Sequence, residues 1–135
     1  MEKRKARILI ADDEEHIRSL LNLIVTSLGA EVVGEAGDGE QALSLYNQFK
    51  PDMVMLDINM PKIGGIKVLK QIMAINPRTL VVMLTSLNAL YVVKECIDSG
   101  AWNYVLKNTT AEELHKTISE TWADYMAEIT AGAPS

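Results

Sequence analysis

Five short apolar runs recur along the chain, and each is followed by a stretch whose apolar positions fall three or four residues apart. The runs Arg7–Ala11, Glu31–Ala36, Met53–Asp57, Leu80–Leu84 and Asn103–Leu106 are rich in Val, Ile, Leu and Met without strict alternation. That pattern predicts strands covered on both faces, as in a parallel sheet. Ile17, Leu20, Leu21, Ile24 and Leu28 keep helical spacing, and Gly29 stands where a C-terminal cap belongs. Asp38 with Gln41 resembles a capping box opening a second helix toward Phe49, with Pro51 helping to end it. A third helix is expected from Gly65 to Ile75, stopped by Asn76-Pro77. The fourth, between Asn88 and Ser99 with Gly100 beyond, has the weakest amphipathic pattern. A fifth opens at Thr110 with Glu113 as its capping partner and carries Leu114, Ile118, Trp122, Tyr125 and Ile129 along one side. The ordered domain is placed at residues 7–129, between a lead-in at 1–6 and a flexible tail at 130–135.

Strand and helix alternating five times imply an α/β fold: a doubly wound, five-stranded parallel sheet with helices on both faces. Five strands favour the flavodoxin-like order 2-1-3-4-5. The 135 residues fit one such domain. A net charge of -5 argues against nucleic acid or an anionic membrane as direct partner, and the Lys3-Arg4-Lys5 cluster is too short to reverse it. Cys96 is the single cysteine, so no internal disulfide can form. With apolar runs far below a membrane span, the chain reads as cytoplasmic.

In open α/β sheets, ligands bind beyond the carboxyl ends of the strands, where strand order reverses. The first strand runs into Asp12-Asp13, the third ends at Asp57, the fourth runs into Thr85-Ser86, and the fifth ends at Lys107. Three carboxylates, a hydroxyl and an ammonium are therefore expected at one edge. Clustered carboxylates repel unless a cation joins them. Their hard oxygens suit Mg²⁺, with Mn²⁺ as the other candidate. Asp57 can then act as a carboxylate nucleophile toward phosphorus, Lys107 as a point charge for a phosphoryl oxygen, and Thr85 as a hydroxyl donor. Taken singly, each has a plainer reading, an acid pair after a strand being commonly a turn or helix cap. Their matched placement favours a site.

The stretches Ile8-Leu9-Ile10-Ala11-Asp12-Asp13-Glu14, Gly37 to Leu43, Pro51 to Pro61 with Gly65, Val81 to Ser86 and Gly100 to Lys107 occur in order. In these the chain resembles response-regulator receiver domains, from Ala6 to about Ala127. The resemblance implies that Asp13 and Asp57 bind Mg²⁺ through carboxylates, Asn59 through its backbone carbonyl, and Asp12 largely through water. It implies that Asp57 takes a phosphoryl group from a histidine kinase or a histidine phosphotransfer protein. Thr85 and Tyr104 would be the switch pair that remodels the face of helix 4, strand 5 and helix 5 for a downstream protein. That face is also where a homodimer would form. Such a domain promotes only its own phosphorylation and dephosphorylation and is otherwise no enzyme.

Two positions depart from the commonest pattern. Gly64 replaces an acid, which should matter little. Asn108 follows Lys107 where many members have a cis proline. A cis bond before a non-proline residue costs about 2.5–4 kcal/mol, so another loop path is expected. Leu87 lies in the neighbourhood that tends to set dephosphorylation rate in the family. His16 and His115 have no partners at metal-ligand spacing and are expected to be solvated or packed, and Cys96 is expected to be buried in the packing of helix 4. Trp122, Tyr125 and Ile129 are expected to extend the core side of helix 5, with a partner surface as the alternative. The acidic balance and the lack of a linker favour a stand-alone module. The competing view is a receiver fragment of a longer regulator with a helix-turn-helix DNA-binding output domain. A phosphohydrolase of the haloacid-dehalogenase kind would carry its nucleophile after the first strand, and a flavin or nucleotide binder would need Gly, Ser and Thr there.

Overall fold

The computed structural model describes residues 5–86 and 90–132, with side chains as far as residue 128. Its strands are β1 (Arg7–Ala11), β2 (Glu31–Ala36), β3 (Met53–Asp57), β4 (Leu80–Thr85) and β5 (Asn103–Leu106). Its helices are α1 (Glu15–Ser27), α2 (Gly39–Phe49), α3 (Gly65–Ile75), α4 (Leu90–Asp98) and α5 (Ala111–Gly132). All strand pairs are parallel and the order is β2-β1-β3-β4-β5, as expected.

Successive strand residues face opposite sides of a sheet, so an unbroken apolar run supplies two cores at once. Ile8, Ile10, Met53, Met55, Val82, Leu84 and Val105 pack on one face with Leu21 and Ile24 of α1 and Leu114 and Ile118 of α5. Leu9, Val54, Leu56, Val81 and Met83 pack on the other with Tyr46 of α2, Val68, Leu69 and Ile72 of α3, and Cys96 of α4. β3 and β4 are buried at every position, and β2, at the sheet edge, is largely accessible. Trp122 and Tyr125 are half-buried against the first core, as expected of the α5 side that covers the sheet.

The helix ends follow local chemistry. Gly29 takes a left-handed backbone (φ +93°) just past α1, a conformation that a Cβ would strain. The Asp38 carboxylate accepts the Gln41 N–H at 2.8 Å, while the Gln41 side chain reaches back to the Gly37 N–H at 2.8 Å. Thr110 Oγ1 caps α5 by accepting the Glu113 N–H at 3.0 Å. One boundary moves. α5 continues to Gly132, so the segment expected as a tail from residue 130 is helical for its first three positions. The described part of α4 begins at Leu90, and Leu87 and Asn88 lie outside the described residues.

The loop after β3 is held by backbone approach. Ile58 N–H donates to Leu84 O at 3.0 Å, and Gly65 N–H donates to Ile58 O at 2.9 Å. A Cβ at Gly65 would fall 2.0 Å from the carbonyl oxygen of Asp57, a backbone atom that cannot swing away. Gly65→Ala should therefore cost about 1–3 kcal/mol through overpacking. Urea denaturation reads this directly, and unchanged stability would rule out the close approach.

Candidate functional site

Register brings the chemistry together. Ala11 pairs with Leu56, Asp57 with Leu84, and Thr85 with Leu106. The residues just beyond those pairs therefore share one edge, at the reversal between β1 and β3. Asp12 is fully buried there. Its N–H donates to Ala36 O at 2.9 Å, and its Oδ1 accepts the Glu14 N–H at 2.8 Å as α1 begins. Arg18, on the next turn of α1, donates to the Asp12 carbonyl at 2.6 Å and pairs with Glu35 at 3.3 Å. Asp57 is buried at the end of β3, with Oδ1 accepting the Asn59 N–H at 3.2 Å.

Lys107 reaches this pair from β5. Its backbone N–H is anchored on Thr85 O at 2.8 Å. Its Nζ lies 2.8 Å from Asp12 Oδ2, 2.9 Å from Glu14 Oε1 and 3.2 Å from Asp57 Oδ2. Among the described residues no peptide bond is cis, so Lys107-Asn108 is trans and Lys107 reaches the site along the alternative loop path.

Burial, and next the charge of Asp12, raise the Asp57 carboxyl from 3.8 to about 6, although Lys107 and the Asn59 N–H pull the other way. Burial disfavours the Lys107 ammonium, yet Asp12, Glu14 and Asp57 together raise it above its ordinary value. One lysine charge therefore serves several acids.

Carboxylate oxygens of Asp12, Asp13 and Asp57 lie within 4.8 Å of one another. Asp12 Oδ2 is buried and receives no hydrogen bond. The Lys107 ammonium is close to it but outside hydrogen-bonding angles, so the contact is electrostatic. A buried acceptor left in that condition, beside an exposed Asp13 and the buried Asp57, fits the hard oxygen set that Mg²⁺ takes.

Asp12, Asp13, Asp57 and Lys107 are thus brought together as the sequence suggested. Thr85 is buried at the adjoining end of β4. Asn59 is exposed and meets Asp57 through its N–H. Tyr104 sits a step away, half-buried against the second core. Glu14 is an addition: its place next to the acid pair was visible, but its contact with Lys107 depends on how α1 leaves the sheet. His16 lies 3.7 Å from Glu14, and His115 shares a hydrogen bond with Ser119 at 3.4 Å. Both are exposed, and Cys96 is fully buried.

The sequence matches the family described as response regulator receiver domain over residues 8–119. It is 39% identical to the chemotaxis protein CheY of Thermotoga maritima over 101 residues, covering 75% of this chain and 84% of that protein. It is also 39% identical over 119 residues to YxjL of Bacillus subtilis, an uncharacterized transcriptional regulatory protein. There the match covers 87% of this chain but 55% of the relative, so the chain spans about half the length of that regulator. Among solved structures, it resembles a chain of the CheX-CheY-BeF3-Mg+2 complex of Borrelia burgdorferi with a TM-score of 0.80 and 31% identity, covering 87% of this chain and 89% of that one. It resembles the response regulator domain of Thermotoga maritima CheB with a TM-score of 0.82 and 29% identity, covering 92% and 98%.

The Asp57 shift has a stability consequence of definite sign. Because the folded state raises this carboxyl, ionising it opposes folding. The cost is absent below pH 3.8, grows as pH rises toward 6 and is complete above it. In metal-free buffer Asp57→Asn should stabilise the fold by about 2 kcal/mol at pH 8, with a smaller gain at pH 5. Thermal unfolding of both proteins at the two pH values checks this, and a gain that grows on acidification would refute it.

Proposed function

The chain belongs to the response regulator receiver domain family, a class of regulatory signalling domains, and we propose that it works as a phosphoacceptor switch with Asp57 as the acceptor. One observation carries the reading: Asp12, Asp13 and Asp57 converge within 4.8 Å at the sheet's reversal point, with Lys107 Nζ against Asp57. Asp12, Asp13 and Asp57, joined by the Asn59 carbonyl, are the groups that would hold Mg²⁺, or Mn²⁺ in its place. When bound, the ion supplies positive charge that lowers repulsion among the acids and toward an incoming phosphoryl group.

The chain's own residues supply the rest. An Asp57 oxygen attacks the phosphorus of a phosphohistidine on a histidine kinase or phosphotransfer protein. The O–P bond forms, the N–P bond breaks, and the imidazole nitrogen keeps the electron pair and takes a proton. Asp57 is buried enough to exclude bulk water yet held ionised at neutral pH by Lys107. Asn59 N–H fixes the orientation of the carboxylate. Lys107 then follows the phosphoryl group, which carries a charge of about −1.5 to −2, and because its backbone is bonded to Thr85 O, β4 and β5 feel the change together. Hydrolysis by water at the same centre returns the resting state.

The output face is expected on α4, β5 and α5. Cys96 is the one buried residue of the described α4, while Leu90, Tyr91 and Trp102 are exposed. A helix with so few core anchors can shift without dismantling the sheet. A downstream protein, or a second copy of the chain, is the expected reader of that face. No helix among the described residues is long and apolar enough to cross a membrane, and a cytoplasmic setting fits a phosphohistidine donor. A second reading rests on YxjL, about half of whose length the chain spans. In it, the same switch would control a DNA-binding output domain elsewhere in a longer regulator.

Incubation with Mg²⁺ and a small phosphodonor should add one base-labile phosphoryl group per chain, read by intact mass, and Asp57→Asn should abolish it. Multiple turnover of the donor at enzyme-like rates, without a stable adduct, would point to a hydrolase instead. Lys107→Ala should keep the phosphorylation but weaken the accompanying change in Trp102 fluorescence. Equal changes in variant and parent would remove Lys107 from the relay.

A further inference from the structure

Three acids crowd around Lys107, and one of them has no part in the phosphoacceptor reading. Asp12, Glu14 and Asp57 place one oxygen each at 2.8, 2.9 and 3.2 Å from Nζ, the Asp57 contact a hydrogen bond and the Asp12 contact electrostatic. An additional oxygen, such as that of a phosphoryl group on Asp57, competes with these three for the one ammonium charge. Which of the three yields follows from solvation. The Asp12 and Asp57 side chains are 0% and 4% exposed, whereas Glu14 is 47% exposed. Losing the lysine leaves a buried carboxylate uncompensated, but a half-exposed one rehydrates at little cost.

Resting on that reading, we propose that Glu14 is a positioning residue for Lys107, tethering the ammonium in the unmodified protein and competing with the phosphoryl group for it. The backbone of Glu14 is fixed independently of this role. Its N–H bonds to Asp12 Oδ1, and its carbonyl accepts from the Ile17 and Arg18 N–H groups at 3.1 Å each. Its side chain makes no capping bond to α1. The carboxylate is thus free to lean across the mouth of the site, and Lys107 holds it below its ordinary pKa. His16, the other cationic candidate near it, is exposed at 3.7 Å from Oε2. A glutamine keeps the shape and the backbone bonds while removing the charge that holds Lys107.

The tether makes a prediction that a general charge effect does not. With Lys107 present, Glu14→Gln should release the ammonium and tighten the equilibrium binding of beryllofluoride, an inorganic phosphoryl mimic, at saturating Mg²⁺. The gain should be about two- to fivefold, the range of a partly exposed ion pair. In a Lys107→Ala background the same substitution should have no effect, because nothing is left to tether. Titrations of parent, both single variants and the double variant, followed by Trp102 fluorescence or NMR, give the cycle. Equal tightening in both backgrounds would mean that Glu14 acts only as a distant negative charge, and no tightening in either would mean that it does not compete; each overturns the proposal. A parent that binds no beryllofluoride with Mg²⁺ sinks the phosphoacceptor reading itself, and this inference with it.

Discussion

The site is governed by the repulsion of carboxylates that the fold forces into one buried corner. Asp12 and Asp57 sit at the ends of neighbouring strands with almost no solvent to screen them. Strand pairing fixes their separation, because β1 and β3 are registered by backbone bonds that cannot slip without exposing both cores. Relief must therefore come from positive charge brought to the corner. One source is built in: Lys107 carries a single charge to Asp12, Glu14 and Asp57. That charge falls short. Asp57 stays shifted up to about 6 and Asp12 Oδ2 stays without a hydrogen bond. That shortfall is what the divalent cation of the proposed reading would relieve.

The rest of the architecture serves that corner. Two cores, one on each face of the sheet, make the strands rigid enough to hold acids in an unfavourable arrangement. The loop after β3 turns back on itself through Gly65, whose lack of a side chain lets backbone approach the Asp57 carbonyl. Thr85 links the acceptor side to Lys107 through a backbone bond between β4 and the end of β5. Toward α4 the structure loosens, with a single buried anchor in the described part of that helix. Rigidity at the carboxylates and weak anchoring at α4 are what the proposed switch would need, so that a charge change at one could be felt as a displacement at the other.

Most of the fold and most of the site were legible in the sequence, for physical reasons. Fully buried parallel strands leave an unmistakable signature, as in Met53–Asp57 and Leu80–Thr85, where every residue is buried. Polar residues abruptly ending such runs, as Asp57 and Lys107 do, stand out because burial there has a cost. Capping was readable at Asp38 and Thr110, where a side-chain acceptor and an N–H three residues on define a local bond. The end of α5 was not. The last residues were expected to form a tail, as chain termini often do, yet the helix persists to Gly132. Glu14 escaped as a lysine partner because its reach depends on the angle at which α1 leaves β1, a tertiary quantity with no sequence period. The loop at Asn108 could be recognised as unusual, but its path depends on where Lys107 can find three carboxylates.

Charge counting shows why Glu14 is not redundant with its neighbours. Asp12, Asp13 and Asp57 carry three negative charges, which a divalent cation and Lys107 together balance. Glu14 adds a fourth on the solvent side. An acyl phosphate on Asp57, as proposed, would remove one carboxylate charge and bring about −1.5 to −2, so the corner would become more negative by roughly one unit or somewhat less. Among the described residues no further lysine or arginine pairs with these carboxylates, so on the proposed reading the relief available is redistribution. Lys107 would move its charge inward, and Glu14, which water can solvate, would give up its share. A site with only buried acids would have to break a buried ion pair to make the same adjustment. Placing one acid at the rim gives the lysine a resting position that is cheap to leave.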